Sequence, residues 1–305
     1  MPTGVVLAPN PAAVNVVDDV IGRAQQAYAA GVRQIWLAQQ FDFDAIALAG
    51  LVGAAVPGLG VGTSIVPINP RHPLIVASQA QTAQAASHGN FSLGIGLGAH
   101  VLERRAFGIS SANTVQRLRE HLTVLRSIFD DGAVDFHGQV ITASPQSPVT
   151  LAGSTAIPVY VAAMGPRALQ VTGELADGTL PFLAGPRTIE EFIAPTIIKA
   201  AEAAGRPKPR IIAIVPVRVT EDEAAGRAAL SEQLGFYDTI PSYQQVIARE
   251  GVSRAADLGV VGAADAVARQ LSKYRDAGAT DVVLSPARHD DPAALRELWS
   301  VAAAL

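Results

Sequence analysis

Two glycine-bearing segments and six histidines are the parts of this 305-residue chain whose types and spacing could do chemistry. Gly94-Ile95-Gly96-Leu97-Gly98-Ala99 follows an apolar run and matches GxGxxG/A, the pattern in which glycines let a backbone close on a pyrophosphate. A dinucleotide loop opens directly into a helix, whereas residues 100–108 read as polar and irregular. The alternative is that the run lets a flat ring approach the backbone, because glycine carries no Cβ. Gly165-Pro166-Arg167 stands between an apolar strand and a helix, with proline in the first helical turn. Free amides of Gly165, Arg167 and Ala168 beside a cationic side chain outline an anion site. An ordinary helix start with a surface arginine is the competing reading.

Imidazole titrates near neutrality and can serve as acid, base or metal ligand. His72, His100 and His289 follow predicted strands, His88 precedes one, His121 flanks the apolar stripe of a helix, and His137 lies in a predicted hairpin. There is no HExxH and no cysteine, so no metal site is expected, and disulfides and a thiol nucleophile are excluded. A cysteine-free chain suits reducing cytoplasm. Residues 1–9 lack the basic, apolar and small-residue succession of a secretion signal, and Gly, Pro and charges interrupt every apolar run before it could span a bilayer. A net charge of −4 without a basic run argues against nucleic acid or an anionic membrane as partner. A small molecule is the expected ligand.

The elements that must position these groups come from the pattern. Hydrophobic residues make up 49% and charged residues 16%, which suits a large buried core. The spacing predicts strands at 4–7, 35–37, 59–66, 91–95, 158–163, 178–182, 210–219 and 281–284. Between them it predicts a helix capped by Asn15 and closed by Gly31, then helices at 44–55, 74–87, 113–129, 166–175, 188–204, 263–277 and 293–305. Residues 134–141 read as an inserted hairpin, and 221–259 as helix with turns. Short strands without polar alternation indicate burial on both faces, as a parallel sheet requires. Eight strand–helix units with no Pro/Gly/Ser linker predict an α/β chain: one domain over 1–305, a (β/α)8 TIM barrel with insertion segments. Reacting groups in such a barrel follow the C-terminal strand ends, the filter that passes His72, His100 and His289.

Several blocks follow one another in a telling order. They are Gly31 with Trp36, Asp44-Ala45, Gly62-Thr63-Ser64-Ile65-Val66-Pro67-Ile68-Asn69-Pro70-Arg71-His72-Pro73, and Phe91-Ser92-Leu93-Gly94-Ile95-Gly96. Pro158-Val159-Tyr160-Val161-Ala162-Ala163, Gly165-Pro166-Arg167-Ala168-Leu169 and Ala176-Asp177-Gly178 continue the series. Their order and spacing resemble the luciferase-like monooxygenase superfamily over nearly the whole chain, and within it most closely the branch that uses coenzyme F420, a deazaflavin.

This resemblance implies a bacterial-luciferase-like barrel with a ring backed by a bulge at Ser64-Ile65, joined by a cis peptide. It implies a phosphate at Ala163, Met164, Gly165, Arg167 and Ala168, with Gln39 and Gly96 completing the cofactor-binding candidates. Gln40, His72 and His100 are the candidate catalytic residues. Where the sugar-phosphate dehydrogenases of the branch carry a histidine and a glutamate, this chain has Gln40 and Ala99; Gln40 can hydrogen-bond but cannot exchange a proton at neutral pH. The implied activity is therefore an F420-dependent oxidoreductase moving a hydride between reduced deazaflavin and a small organic substrate, with reduction of C=C or C=N favoured. An FMN-dependent monooxygenase and a non-catalytic flavin-binding protein are the alternatives. Arg167, Arg187 and Arg288 are candidates to meet the deazaflavin's acidic tail, and a homodimer is common in the family.

Overall fold

The computed structural model describes residues 3–98, 100–109, 112–287 and 291–305, with the side chains of 100–102 left out. Its strands Thr3–Leu7, Gln34–Leu37, Gly60–Thr63, Phe91–Gly96, Val159–Ala162, Gly178–Thr179, Arg210–Val219 and Asp281–Pro286 alternate with helices. The fold is a (β/α)8 TIM barrel, and its strand pairs are parallel. The predicted helix starts and stops have the expected chemistry. Asn15 Oδ1 accepts the amides of Val17 at 2.9 Å and Asp18 at 3.3 Å, and Gly31 takes a φ of 102° just past the helix Val16–Ala29.

Contacts gather the chain into two compact units. The first comprises Met1–Trp36, Leu180–Thr196 and Arg210–Leu305. In it Asp281–Pro286 lies between Thr3–Leu7 and Arg210–Val219, with Val5 opposite Leu284 and Ile214 opposite Val283. Buried Asp281 pairs with Arg210 and accepts from the Thr280 hydroxyl at 2.6 Å, so the carboxylate at this strand start is paired and hydrogen-bonded. A short strand, Val260–Gly262, adds a parallel edge to Arg210–Val219. The pattern left these three residues unassigned between the stretch 221–259 and the helix at 263–277. Phe182, Tyr237 and Tyr243 pack edge to face beside the core of this unit, with the two tyrosine rings 4.8 Å apart.

The second unit comprises Leu37–Thr179 and Ile197–Pro209. Its strands run in the order Gly60–Thr63, Phe91–Gly96, Val159–Ala162 and Gly178–Thr179. Asp177 holds the start of this sheet: its carboxylate accepts the Val159 amide at 2.8 Å and pairs with Arg206 at 3.1 Å and Arg126 at 3.3 Å. Conserving shape but not charge, Asp177→Asn should cost about 2 kcal/mol, the scale of hydrogen bonds to a charged group. A lower urea midpoint at unchanged m checks it, and a midpoint equal to wild type would assign these pairs no net stabilisation.

Residues 100–108 were expected to be irregular but form the helix His100–Phe107. Residues 104–107 are all exposed, so no apolar stripe marks this helix in the sequence. The predicted hairpin is present as Phe136–His137 paired antiparallel with Thr142–Ala143. Buried Glu120, on the helix Thr114–Arg126, pins its turn by accepting the amides of Gln139, Val140 and Ile141 at 2.8, 2.9 and 2.8 Å, and the Gln116 side chain at 2.8 Å. Burial raises the Glu120 pKa, but the hydrogen bonds from Gln116, Val140, Gln139 and Ile141 outweigh it and leave the group below its usual 4.5. A depressed folded pKa contributes stability that is complete above the unfolded value and is lost as pH falls through the folded one. Glu120→Gln should therefore flatten the decline of the urea midpoint below about pH 4.5, a window set by the reference carboxyl value.

Candidate functional site

The C-terminal strand ends of the second unit bring most of the expected residues together. Thr63, fully buried, donates through Oγ1 to the Gly94 carbonyl at 2.8 Å and accepts the Gly94 amide at 2.9 Å. The chain then leaves the ladder at Ser64-Ile65, whose peptide is cis as the resemblance implied, and rejoins it with Val66 opposite Ile95 and Pro67 opposite Gly96. The end of the second strand holds this bulge from below: Ser64 donates to the Leu37 carbonyl at 2.8 Å, and Gln39 donates to the Ile65 carbonyl at 3.2 Å. The Ile65 side chain crosses Gly96, where an added Cβ would sit 2.8 Å from its Cδ1 and 3.4 Å from Ala162 Cβ. Only a glycine leaves room for that side chain to lie flat. Ser64 Oγ is buried without a hydrogen-bond partner among the described residues.

The fifth strand leads into Gly165, the extended N-cap of the helix Pro166–Leu175. Among the described residues no side chain caps this helix, and none lies within 4 Å of the position a Gly165 Cβ would take. Proline at the first turn removes one donor, leaving early amides directed outward with exposed Arg167, which forms no ion pair among the described residues. Ala163 and Ala168 are buried, and Met164 is half-buried. Such a start can hold a phosphate. The Gly94–Gly98 turn cannot do so in the same way: Gly98, at φ 70°, has the buried Glu103 carboxylate where its Cβ would be, and Glu103 accepts the Asn69 amide at 3.3 Å. A carboxylate in that position disfavours phosphate and leaves the glycine run to a flat ring. Glu103 was not singled out in the sequence; the signal was a carboxylate in the first turn after a glycine run.

The Gln39 side chain is spent on its own loop. Its Nε2 donates to the Gln40 carbonyl and to the Phe43 carbonyl at 2.6 Å, and its Oε1 accepts from Ala45 at 3.1 Å and Arg71 at 3.0 Å. Exposed Gln40 has no such role. His72 caps the helix Pro73–Ala86: Nδ1 accepts the Leu74 amide at 3.3 Å while Nε2 lies 2.9 Å from the Thr142 carbonyl, which selects the neutral Nε2–H tautomer. Both nitrogens are engaged, so His72 positions backbone. His100 opens its helix with a side chain outside the described residues, as are Ala99, Arg288 and His289 altogether. Arg187 is exposed and paired with Glu191 at 3.1 Å.

Among known proteins, the luciferase-like monooxygenase family model matches residues 1–281. A 5,10-methylenetetrahydromethanopterin reductase of Archaeoglobus fulgidus is 31% identical over 62% of this chain and 56% of its own. The chain spans about three fifths of the length of the first curated relatives it matches. A solved F420-dependent secondary alcohol dehydrogenase, bound to an F420–acetone adduct, superposes with a TM-score of 0.81 at 19% identity over 99% of this chain and 98% of that one. The oxygenating constituent of 3,6-diketocamphane monooxygenase from Pseudomonas putida, in complex with FMN, does so with a TM-score of 0.78 at 17% identity over 100% and 98%. With the family model matched across the bulge, the glycine run and the helix start just described, the chain belongs to the luciferase-like monooxygenase family.

Proposed function

We propose that this protein is an F420-dependent oxidoreductase that reduces an activated C=C or C=N bond of a small organic substrate. The observation that carries this reading is the shelf of Ile65 across Gly96, with the orphaned Ser64 hydroxyl beside it and the uncapped helix start at Gly165 two strands along. When bound, reduced deazaflavin supplies the hydride, and the protein supplies orientation and electrostatics. Ile65 and Gly96 would support the ring, the Ser64 hydroxyl would bond its edge, and the Gly165–Ala168 amides with Arg167 would hold the phosphate. Gln40 cannot exchange a proton and His72 is engaged at both nitrogens. Reduction of C=C or C=N tolerates this, because the final proton can come from water or the substrate.

Turnover of reduced F420 with a panel of enones and imines tests this reading, and the absence of any turnover in protein that binds F420 would overturn it in favour of a non-catalytic carrier. The fold likeness to the FMN-bound monooxygenase favours a second reading, an FMN-dependent monooxygenase. Substrate-dependent oxygen uptake with tighter binding of FMN than of F420 selects it. In the first reading residues 1–305 act as one cytoplasmic domain, without nucleic acid or membrane as partner, and assemble as a homodimer; sedimentation velocity checks the assembly. No helix among the described residues is long and apolar enough to cross a membrane.

A further inference from the structure

We infer that the cleft between the helix Thr114–Arg126, the segment 68–73 and the hairpin turn at Val140 and Ile141 binds a small oxyanion, a carboxylate or phosphate group, through Arg117 and His121. The cleft has a volume of about 100 Å³ and opens to solvent. Arg117 and His121 stand four residues apart, one helical turn, and both line it.

The charged and polar groups around the cleft differ in whether their partners are already supplied. Arg71 is neutralised by Asp44 at 2.9 Å, and neutral His72 is engaged at both ring nitrogens. Glu120, the carboxylate next along the helix, has both oxygens committed to the hairpin amides and Gln116. Arg117 lines the cleft and forms no ion pair among the described residues, so its guanidinium donors are free to take an acceptor there. His121 is 1% exposed, and its Nε2 has no hydrogen-bond partner among the described residues. Burial, with the charge of Arg117 close by, pushes its pKa down to about 3, so the ring stays neutral. In its Nε2–H tautomer the ring offers a buried donor beside a guanidinium without an ion-pair partner, and an oxyanion satisfies both. A cation would meet Arg117, and an apolar ligand would leave Nε2 unsatisfied.

This inference does not rest on the cofactor reading, because it is tested on the cofactor-free protein. Calorimetric titration with inorganic phosphate and with acetate, against sodium chloride at equal ionic strength, should show one saturable site, and the His121 ring resonances should move with saturation. Arg117→Met should weaken phosphate at least tenfold. His121→Leu should weaken it as well, and His121→Gln, which keeps a donor, should weaken it less. Should His121→Leu fail to fold, Arg117→Met at its half-buried position still decides. No saturable binding of either anion, or equal phosphate affinity in wild type and Arg117→Met, overturns the proposal. Repeating the titration on F420-loaded protein distinguishes the source: lost phosphate binding assigns the oxyanion to the cofactor's own acidic tail, and retained binding to a separate small molecule.

Discussion

Gly96→Val is expected to remove cofactor binding from a chain that still folds. Its Cβ would stand 2.8 Å from Ile65 Cδ1 and 3.0 Å from Cγ1, closer than real carbon neighbours approach. The Ile65 side chain can rotate away, so the fold survives at the usual overpacking cost of about 1–3 kcal/mol. The displaced side chain and the added isopropyl group then occupy the space the ring would need. An affinity loss of at least about 100-fold for F420 and FMN alike corresponds to about 2.7 kcal/mol. Fluorescence titration beside a thermal melt checks both halves of this expectation. Affinity within threefold of wild type would remove the Ile65–Gly96 shelf from the cofactor site.

Arg167→Ala should act on the other end of the cofactor. A charge-assisted contact to phosphate contributes about 1.5–3 kcal/mol, which is about a 10- to 100-fold loss of affinity. Arg167 is exposed and forms no ion pair among the described residues, so the melting temperature of the cofactor-free protein should stay within about 1 °C, as expected for a surface change away from other contacts. The wild type should also lose affinity more steeply with added salt than the variant, because one of its contacts is screened. Equal affinity in both proteins would move the phosphate away from the Gly165 helix start.

The elements that position this site were legible because each carries a local physical signal. Asn15 caps, Gly31 turns left-handed, Pro166 begins a helix, and unbroken apolar runs mark strands buried on both faces. What escaped lacks such a signal. Residues 104–107 of the helix His100–Phe107 are exposed, and Val260–Gly262 is too short to establish a period. Side-chain roles were less legible still. His72 passed the strand-end filter, yet its ring serves a helix cap and a carbonyl from the distant hairpin, partners known only once the chain is folded. His121 looked like the margin of an apolar stripe, and its solitary Nε2 is a property of what its neighbours fail to offer. Glu103 likewise gains its place beneath Gly98 from a backbone turn.

The double hydrogen bond between Thr63 and Gly94 has a kinetic consequence. Here a hydroxyl stands in for the neighbouring strand's backbone, so the acceptor of the Gly94 amide is a side chain. Its hydrogen–deuterium exchange therefore reports the opening of the bulge, separately from the unfolding that exposes the amides of Leu93 and Ile95. Thr63→Val, nearly the same shape, leaves the Gly94 N–H without an acceptor and should speed exchange at that amide far more than at its neighbours. A ligand resting on Ile65 should slow it, which turns a single backbone proton into a gauge of occupancy for molecules that carry no colour of their own.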